Sequence, residues 1–161
     1  LLTDKKVGVY VFGNVDHAEV RHALMYKAFD LFAFNDDSRD WSAEFLPLYD
    51  GIKKQGEKAR AARDAARQKN TKMSLPLEDY AGHYHDQFHG NVEIRSENGK
   101  LRLIMSPELQ GDLTHWHYDT FEVKLNRKWY GKSLISFNLN PITRNVESVS
   151  YGGVRFAKKR K

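Results

Sequence analysis

The sequence predicts an α+β fold in which helical segments come first and an antiparallel β-barrel follows. Two observations support this prediction. Helical periodicity dominates up to about residue 72, whereas from Leu77 onward short segments of alternating polar and apolar residues follow one another between turn signals. Six or seven strands in roughly 85 residues, with no helix between them, favour a sheet that closes on itself and thereby hides its edges.

The chain opens with an apolar segment, residues 6–14, that is rich in β-branched and aromatic residues and ends in Gly-Asn. This pattern predicts a strand buried on both faces. Asp16 is then placed to cap a helix, and apolar residues recur at helical spacing over residues 17–34. Because the chain enters a strand pattern at once and has no initiator Met, we expect it to be part of a longer protein.

A second helix is predicted to begin after Asp40 or Ser42, either of which can act as its N-cap. Large apolar residues recur at spacings of three and four as far as Ile52. Beyond Gly56 the composition changes to Ala, Arg, Lys and Gln, which is typical of a solvated helix or linker. Residues 70–76 break this helix.

The strands of the second half are separated by turn signals, of which Asn98-Gly99 is the strongest because Asn-Gly readily adopts a type I′ hairpin turn. The predicted strands span residues 80–85, 91–96, 100–105, 115–125, 132–139, 146–151 and 154–158.

The net charge of +5 is unevenly distributed. Residues 53–72 carry +6 and residues 158–161 carry +4, which leaves −5 on the rest of the chain. No aromatic residue is interleaved with the basic helical residues and no base-reading motif accompanies them, so a solvated connector is favoured and no nucleic-acid partner is expected.

Several other classes are excluded by composition. No run of about 18 apolar residues exists, so we expect no membrane-spanning helix and no membrane partner, and the first residues lack a signal-peptide pattern. The absence of cysteine excludes disulfides, thiolate metal sites and cysteine nucleophiles. No cofactor is predicted.

Histidines form the most suggestive chemical pattern. His83 and His85 lie two residues apart, as do His115 and His117, and Asp119 continues the second alternation. Residues at i and i+2 of a strand face the same way, so either pair offers two imidazoles to a metal ion, with Asp119 as a third ligand. The alternative is that His115, His117 and Asp119 form hydrogen bonds across the barrel wall or line its mouth.

The same segment also suggests a small-ligand site. In the predicted strand 115–125, side chains alternate between the two faces of the sheet. His115, His117 and Asp119 would then share one face, and Trp116, Tyr118 and Thr120 the other. The aromatic residues of this half either fill a barrel core or enclose a small apolar ligand. The predicted ligand-binding residues are His115, His117, Asp119, Tyr84 and Trp116. A further alternative is an acid–base site formed by His117 and Asp119 with Tyr84 or Ser136, which requires these side chains to lie within hydrogen-bond distance of one another.

Two segments resemble a known family. Residues 75–84, Leu-Pro-Leu-Glu-Asp-Tyr-Ala-Gly-His-Tyr, and residues 115–121, His-Trp-His-Tyr-Asp-Thr-Phe, are similar to signatures of the C-terminal domain appended to many serine hydrolases of the β-lactamase and penicillin-binding-protein-like superfamily. The resemblance extends to Ser136-Phe137 and residues 154–156. It implies a lipocalin-like β-barrel beside a catalytic domain, with a role in substrate access, packing or oligomerisation.

The resemblance also implies a domain organisation. Residues 1–35 would be the last strand and helix of the hydrolase domain, residues 36–74 a helical connector, and residues 75–161 the accessory barrel. The catalytic Ser-x-x-Lys of the superfamily occurs nowhere in the chain, so no catalytic residue is predicted and the chain by itself is not expected to be an enzyme.

The expected partners are an upstream hydrolase domain and a second copy of the chain, because residues 7–12 and 17–34 would otherwise expose a large apolar face. Relatives are often exported, which favours the periplasm or cell envelope. The alternative function is a free-standing small-ligand or metal-binding barrel, in which the face of His115, His117 and Asp119 would be concave and empty.

Overall fold

The computed structural model describes residues 1–14 and 17–159, and over these residues helices are followed by a closed barrel of eight antiparallel strands. The chain divides into two compact units, Leu1–Ala66 and Arg67–Lys161, which we call the helical unit and the barrel unit. The α+β class and the antiparallel barrel are therefore confirmed. The predicted helix cap Asp16 and the last two basic residues lie outside the described residues.

The predicted N-terminal strand, residues 6–14, is not formed. Val7 forms an isolated bridge with Leu2, and the side chains of Tyr10 and Phe12 are 83% and 91% exposed. A strand needs a neighbouring strand to receive its backbone hydrogen bonds, and none is described beside these residues. The apolar pattern alone was therefore insufficient to make the segment a strand.

Both predicted helices of the helical unit are confirmed. Helix α1 spans Ala18–Phe29 and continues into a π-helical turn, Asp30–Phe34; helix α2 spans Trp41–Ala65. The Asp40 side chain accepts a hydrogen bond from the Ala43 N–H at 3.0 Å, as expected for an N-cap.

The two helices contact each other through aromatic rings. The Tyr26 ring of α1 lies 4.7 Å from the Trp41 ring and 5.5 Å from the Phe45 ring of α2, measured between ring centroids. The Trp41 indole N–H also donates to the Asp30 carboxylate at 2.6 Å, which ties the start of α2 to the end of α1. Helix α2 has no buried residue, which agrees with the solvated helix predicted beyond Gly56.

The barrel is an eight-stranded meander in which each strand pairs with the next and β1 pairs with β8. A single helical turn, α3 (Leu77–Tyr80), precedes it. The strands are β1 (Gly82–Asp86), β2 (Gly90–Glu97), β3 (Lys100–Ser106), β4 (Leu109–His117), β5 (Thr120–Leu125), β6 (Lys132–Leu139), β7 (Val146–Tyr151) and β8 (Val154–Lys158).

One predicted turn is confirmed, and one predicted strand differs. Asn98 and Gly99 have φ values of 52° and 72°, which confirms the tight β2–β3 turn. The predicted strand 115–125, however, is a hairpin, because the chain reverses at Tyr118 and Asp119 between β4 and β5. Tyr118 has φ of 45°, a conformation rare for a residue with a large side chain, so the sequence carries no recognisable turn signal there.

Every strand contributes to one apolar core. Inward-facing side chains from β1 to β8, together with Tyr80 of α3, form a contiguous cluster of buried residues: Tyr80, Tyr84, Val92, Ile94, Leu101, Leu103, Leu113, Phe121, Val123, Leu125, Ile135, Phe137, Val146, Val149 and Phe156. Burial of each large side chain in such a cluster stabilises the fold by about 1.5–3 kcal/mol.

Candidate functional site

Residues 67–75, which we call the strap, run beside the end of the β4–β5 hairpin. The Arg67 Nε donates to the Trp116 carbonyl oxygen at 2.9 Å, and the Gln68 backbone N–H donates to His117 Nδ1 at 3.2 Å. Further along, the Tyr118 backbone N–H donates to Thr71 Oγ1 at 2.9 Å. The strap is therefore held to the hairpin by a series of polar contacts about 47–49 residues apart in sequence.

Asp119 is the centre of this attachment. Its carboxylate accepts hydrogen bonds from the Ser74 backbone N–H at 2.9 Å, from the Ser74 hydroxyl at 2.8 Å and from the Tyr80 hydroxyl. Burial alone would raise the pKa of Asp119, but the hydrogen bonds from Tyr80 and Ser74 favour the carboxylate, and the pKa lies below its ordinary value. The same contact, added to burial, raises the pKa of Tyr80.

Tyr80 and Tyr84 close this end of the barrel interior. Both are fully buried, and the Tyr80 ring packs edge-on against Phe137 and Phe121 at centroid distances of 4.9 and 5.6 Å. The Tyr84 hydroxyl donates to the Tyr80 carbonyl oxygen at 2.6 Å, and burial raises the pKa of Tyr84. Tyr84 is thus part of the packed core.

The two signature segments of the sequence meet here. Tyr80 belongs to the first and Asp119 to the second, and their side chains are hydrogen-bonded to each other. Ser74 and Leu75 join the same network, since the Leu75 backbone N–H donates to the Tyr80 hydroxyl at 3.1 Å. Sequence reasoning gave no role to Ser74 and treated Tyr80 as a strand residue, so this network was missed.

Two of the predicted ligand-binding residues, His115 and Trp116, line a surface pocket of about 270 Å³. The strap supplies the rest of its lining: Arg67, Lys69, Asn70 and Thr71. The Arg67 guanidinium lies over the Trp116 ring at 4.3 Å from its centroid. We call this the strap pocket. The four strap residues were assigned to a solvated connector at the sequence level, because their charge and polarity gave no sign that they fold back on the barrel.

The predicted alternation of two faces does not continue beyond His117, although Trp116 is buried between the partly exposed His115 and His117. The register shifts between His115 and His117, and the turn at Tyr118 and Asp119 ends the strand. His117 and Asp119 therefore hold the strap, at Gln68 and Ser74 respectively.

The acid–base arrangement considered from the sequence is not assembled in the structure. Its four members each contact another group: His117 contacts Gln68, Asp119 contacts Ser74 and Tyr80, Tyr84 contacts the Tyr80 carbonyl, and the Ser136 hydroxyl lies 2.9 Å from that of Thr120.

The histidine pairs considered as metal ligands do not converge. His83 and His85 are exposed on β1, whereas His115 and His117 are on β4, which does not neighbour β1. His85 Nδ1 lies 3.0 Å from Asn91 Oδ1, and His115 Nε2 lies 2.8 Å from the Tyr118 carbonyl oxygen, to which it can only donate. Among residues 1–14 and 17–159, no three His, Cys, Asp or Glu residues are grouped so as to hold a metal ion.

No helix in the described part of the chain is both long and apolar enough to cross a bilayer.

A family model with the description "Domain of unknown function (DUF3471)" matches residues 66–157, more than half of the chain. No curated protein matches the chain.

Among solved structures, the crystal structure of the C-terminal domain of penicillin-binding protein Rv0907 is similar at 24% identity and a TM-score of 0.45, covering 58% of this chain and 98% of that one. SurE is similar at 16% identity and a TM-score of 0.46, covering 56% of this chain and 20% of SurE. SurE with D-Leu gives 16% identity and a TM-score of 0.47, with 21% of that chain covered.

Proposed function

Because the chain belongs to the DUF3471 family, we propose that this domain is a non-catalytic C-terminal accessory domain of a β-lactamase-like serine hydrolase. The observation that carries the proposal is the contact between the two signature segments. Tyr80 and Asp119 come from the two stretches that resemble the accessory domain, and they share one hydrogen bond at the attachment of the strap. The two motifs therefore belong to one structural unit, in which each supplies one partner of this hydrogen bond.

The chemistry of the chain supports a non-catalytic role. No serine is followed by a Lys three residues later, so the nucleophile and base of the superfamily have no counterpart in this sequence. The Ser74 hydroxyl donates to Asp119 in a contact that fastens the strap. In this proposal the reaction takes place on a hydrolase domain elsewhere in the parent protein, and the barrel assists substrate access, packing or assembly there. An exported location belongs to the same proposal.

The test begins with the gene. The reading frame upstream of Leu1 should encode a Ser-x-x-Lys motif, and the parent protein should hydrolyse an ester, a peptide or a β-lactam. Deleting the codons for residues 67–161 should change the KM or the assembly of the parent while the isolated 161-residue chain remains inactive on the same substrates. An upstream frame without this motif, or hydrolysis by the isolated chain that a Ser74→Ala substitution abolishes, would refute the proposal.

The exposed apolar residues of the helical unit support a contact with a partner. Leu24, Phe32 and Leu48 are 55%, 76% and 53% exposed, which is unusual for neighbouring helices of a stable unit. We assign this surface to contact with the hydrolase domain in the parent protein and to a second copy in the isolated chain. Neither nucleic acid nor a membrane is part of this proposal.

Self-association of the isolated chain is measured by sedimentation velocity over a concentration series. The wild-type chain should shift to larger species as concentration rises, and Phe32→Ser should weaken the association because it removes apolar area from the proposed contact. Phe88→Ser is the matched control, since Phe88 is 89% exposed but belongs to the barrel unit. A monomer at all concentrations, or equal effects of the two substitutions, would contradict the assignment.

A further inference from the structure

The strap pocket gathers hydrogen-bond donors and positive charge without a carboxylate. Arg67 and Lys69 supply two cationic groups, and Asn70 and Thr71 add neutral polar side chains. The remaining wall is formed by His115 and the buried Trp116. Among the ion pairs of the described residues, none includes Arg67 or Lys69. A concave site with this lining favours an anionic ligand.

The position of the Arg67 guanidinium is set by three contacts. Its plane lies over the Trp116 ring, Nε donates to the Trp116 carbonyl oxygen, and Nη2 donates to the His115 carbonyl oxygen at 3.4 Å. These contacts use the Nε–H group and one N–H of Nη2, and they fix the orientation of the remaining N–H groups of Arg67. An arginine held in this way presents a planar fork of N–H groups, the geometry that matches a carboxylate in a bidentate pair.

Thr71 adds a second donor. Its hydroxyl oxygen accepts the Tyr118 backbone N–H, which leaves the hydroxyl hydrogen for a further partner. Two backbone N–H groups of the strap, those of Gln68 and Ser74, already donate to His117 and Asp119. Phosphate sites are commonly built from successive backbone N–H groups, whereas this pocket offers side-chain donors.

We infer that the strap pocket binds a small carboxylate, with Arg67 as the bidentate partner, Lys69 as a second positive charge and Thr71 as a neutral donor. The volume of about 270 Å³ suits a ligand the size of an amino acid or a dipeptide. Two sources share this chemistry: the C-terminal carboxylate of a peptide and a free organic acid. The inference does not depend on the proposed accessory function, since it rests on the residues that line the pocket.

An NMR titration of the 161-residue chain tests the inference. N-acetyl-dialanine represents a peptide C-terminus, propionate represents a free acid, and N-acetyl-dialanine amide lacks the negative charge. Either carboxylate should cause saturable shifts of the Thr71 amide and the Trp116 indole signals, with a dissociation constant of about 1 mM, while the amide should cause none. The tighter of the two carboxylates identifies the source.

Three outcomes would overturn the inference. The first is the absence of saturable shifts at these signals up to about 50 mM carboxylate, well above the expected dissociation constant. The second is equal binding of the carboxylate and its amide. The third is tighter binding of inorganic phosphate than of either carboxylate.

Substitutions locate the binding site. Lys69→Gln should weaken carboxylate binding roughly 5-fold, and Arg67→Lys roughly 10-fold because the bidentate fork is lost. Lys100→Gln is the matched control, since Lys100 is also an exposed lysine of the barrel unit but does not line the pocket. Arg67 also tethers the strap, so Lys69→Gln keeps the test decisive if Arg67→Lys disturbs the fold. Unchanged affinity of Lys69→Gln, or an equal loss in Lys100→Gln, would overturn the inference.

Discussion

The helical unit exposes most of its large hydrophobic residues, whereas the barrel unit buries most of its own. Among the described residues, Ala23 is the one buried hydrophobic residue of the helical unit, and the rest of the buried set belongs to the barrel unit. Most of the exposed large hydrophobic residues lie instead in the helical unit: Leu1, Tyr10, Phe12, Val20, Leu24, Tyr26, Leu31, Phe32, Phe34, Leu46, Leu48 and Ile52.

This contrast follows from topology. A closed antiparallel meander pairs every strand with two neighbours and encloses one face of each, so the barrel unit buries its apolar side chains without outside help. Two helices share only one interface, and the faces turned away from it need another surface to cover them. The barrel therefore covers its own apolar residues, whereas the helical unit leaves most of its large apolar side chains exposed.

The largest difference between the units should appear on truncating a phenylalanine in each. Phe137 is 5% exposed and its ring meets those of Tyr80, Tyr84 and Phe121, so Phe137→Ala should lower the free energy of unfolding of the barrel unit by about 3–5 kcal/mol. Phe32→Ala, at a residue 76% exposed, should change that free energy by less than about 0.5 kcal/mol.

Amide hydrogen exchange measured residue by residue separates the two effects, because it reports opening of each unit by itself. Protection of barrel amides should fall in Phe137→Ala and stay unchanged in Phe32→Ala. If the two variants lowered barrel protection equally, the barrel would not be the self-sufficient unit that its buried core indicates.

A glycine-to-alanine pair should give effects of opposite sign. A Cβ at Gly111 on β4 would overlap the Lys124 carbonyl oxygen and lie 2.8 Å from its carbon, and a backbone cannot move away as a flexible side chain would. Gly111→Ala should therefore destabilise the barrel unit by roughly 1–3 kcal/mol. Gly51 lies in α2 with nothing near its added Cβ, so Gly51→Ala should stabilise the helix by about 0.5–1 kcal/mol.

Thermal unfolding followed by ellipticity at 222 nm gives the effect on α2, and hydrogen exchange gives the effect on β4 and β5. A stable Gly111→Ala variant with unchanged protection at Lys124 would mean that the two strands do not approach as closely as the structure has them.

The Asp119 network predicts a pH dependence. The pKa of Asp119 in the folded protein lies below its ordinary value, because hydrogen bonds from Tyr80 and Ser74 outweigh the effect of burial. Its contribution to stability is therefore fully present above the unfolded-state pKa of about 3.9 and is lost as the pH falls through the lower folded-state pKa. Asp119→Asn should lower the free energy of unfolding at pH 7 by roughly 1–2 kcal/mol and should reduce this loss at acid pH.

Urea denaturation between pH 2.5 and 7 measures both quantities. Asp112→Asn serves as the control, since Asp112 is 59% exposed and pairs with Arg102 on the surface, where such a pair contributes about 0–1 kcal/mol. If the pH profiles of the wild type and Asp119→Asn were parallel, Asp119 would not be the cause of the loss of stability at acid pH.

Local signals in the sequence were sufficient where the structure depends on nearby residues. The N-cap at Asp40 needs only the N–H three residues later, and the Asn98-Gly99 turn needs only two positive φ values, so both were predicted correctly. The closed barrel was also predictable, because the strand number and the edge problem allow few other solutions.

Features that depend on distant residues were not predictable. The turn at Tyr118 gives no local signal, and its φ of 45° is maintained in a hairpin whose backbone is held by Thr71. The strap pocket requires Arg67 to lie on Trp116, a contact between residues 49 apart. The segment that was predicted as the first strand had the right composition but no described neighbour to pair with.

The two ends of α2 should respond differently to the loss of an aspartate. Asp40→Ala removes the N-cap hydrogen bond to Ala43 and should destabilise the helix by about 1 kcal/mol, while the barrel unit keeps its protection from exchange. Asp64→Ala is the same chemical change in the last turn, where a carboxylate meets the negative end of the helix dipole, so it should not destabilise α2. Ellipticity at 222 nm during thermal unfolding distinguishes the two variants. If Asp40→Ala also reduced protection in the barrel strands, the two units would be coupled in stability, and the helical unit would contribute to the barrel despite its exposed apolar surface.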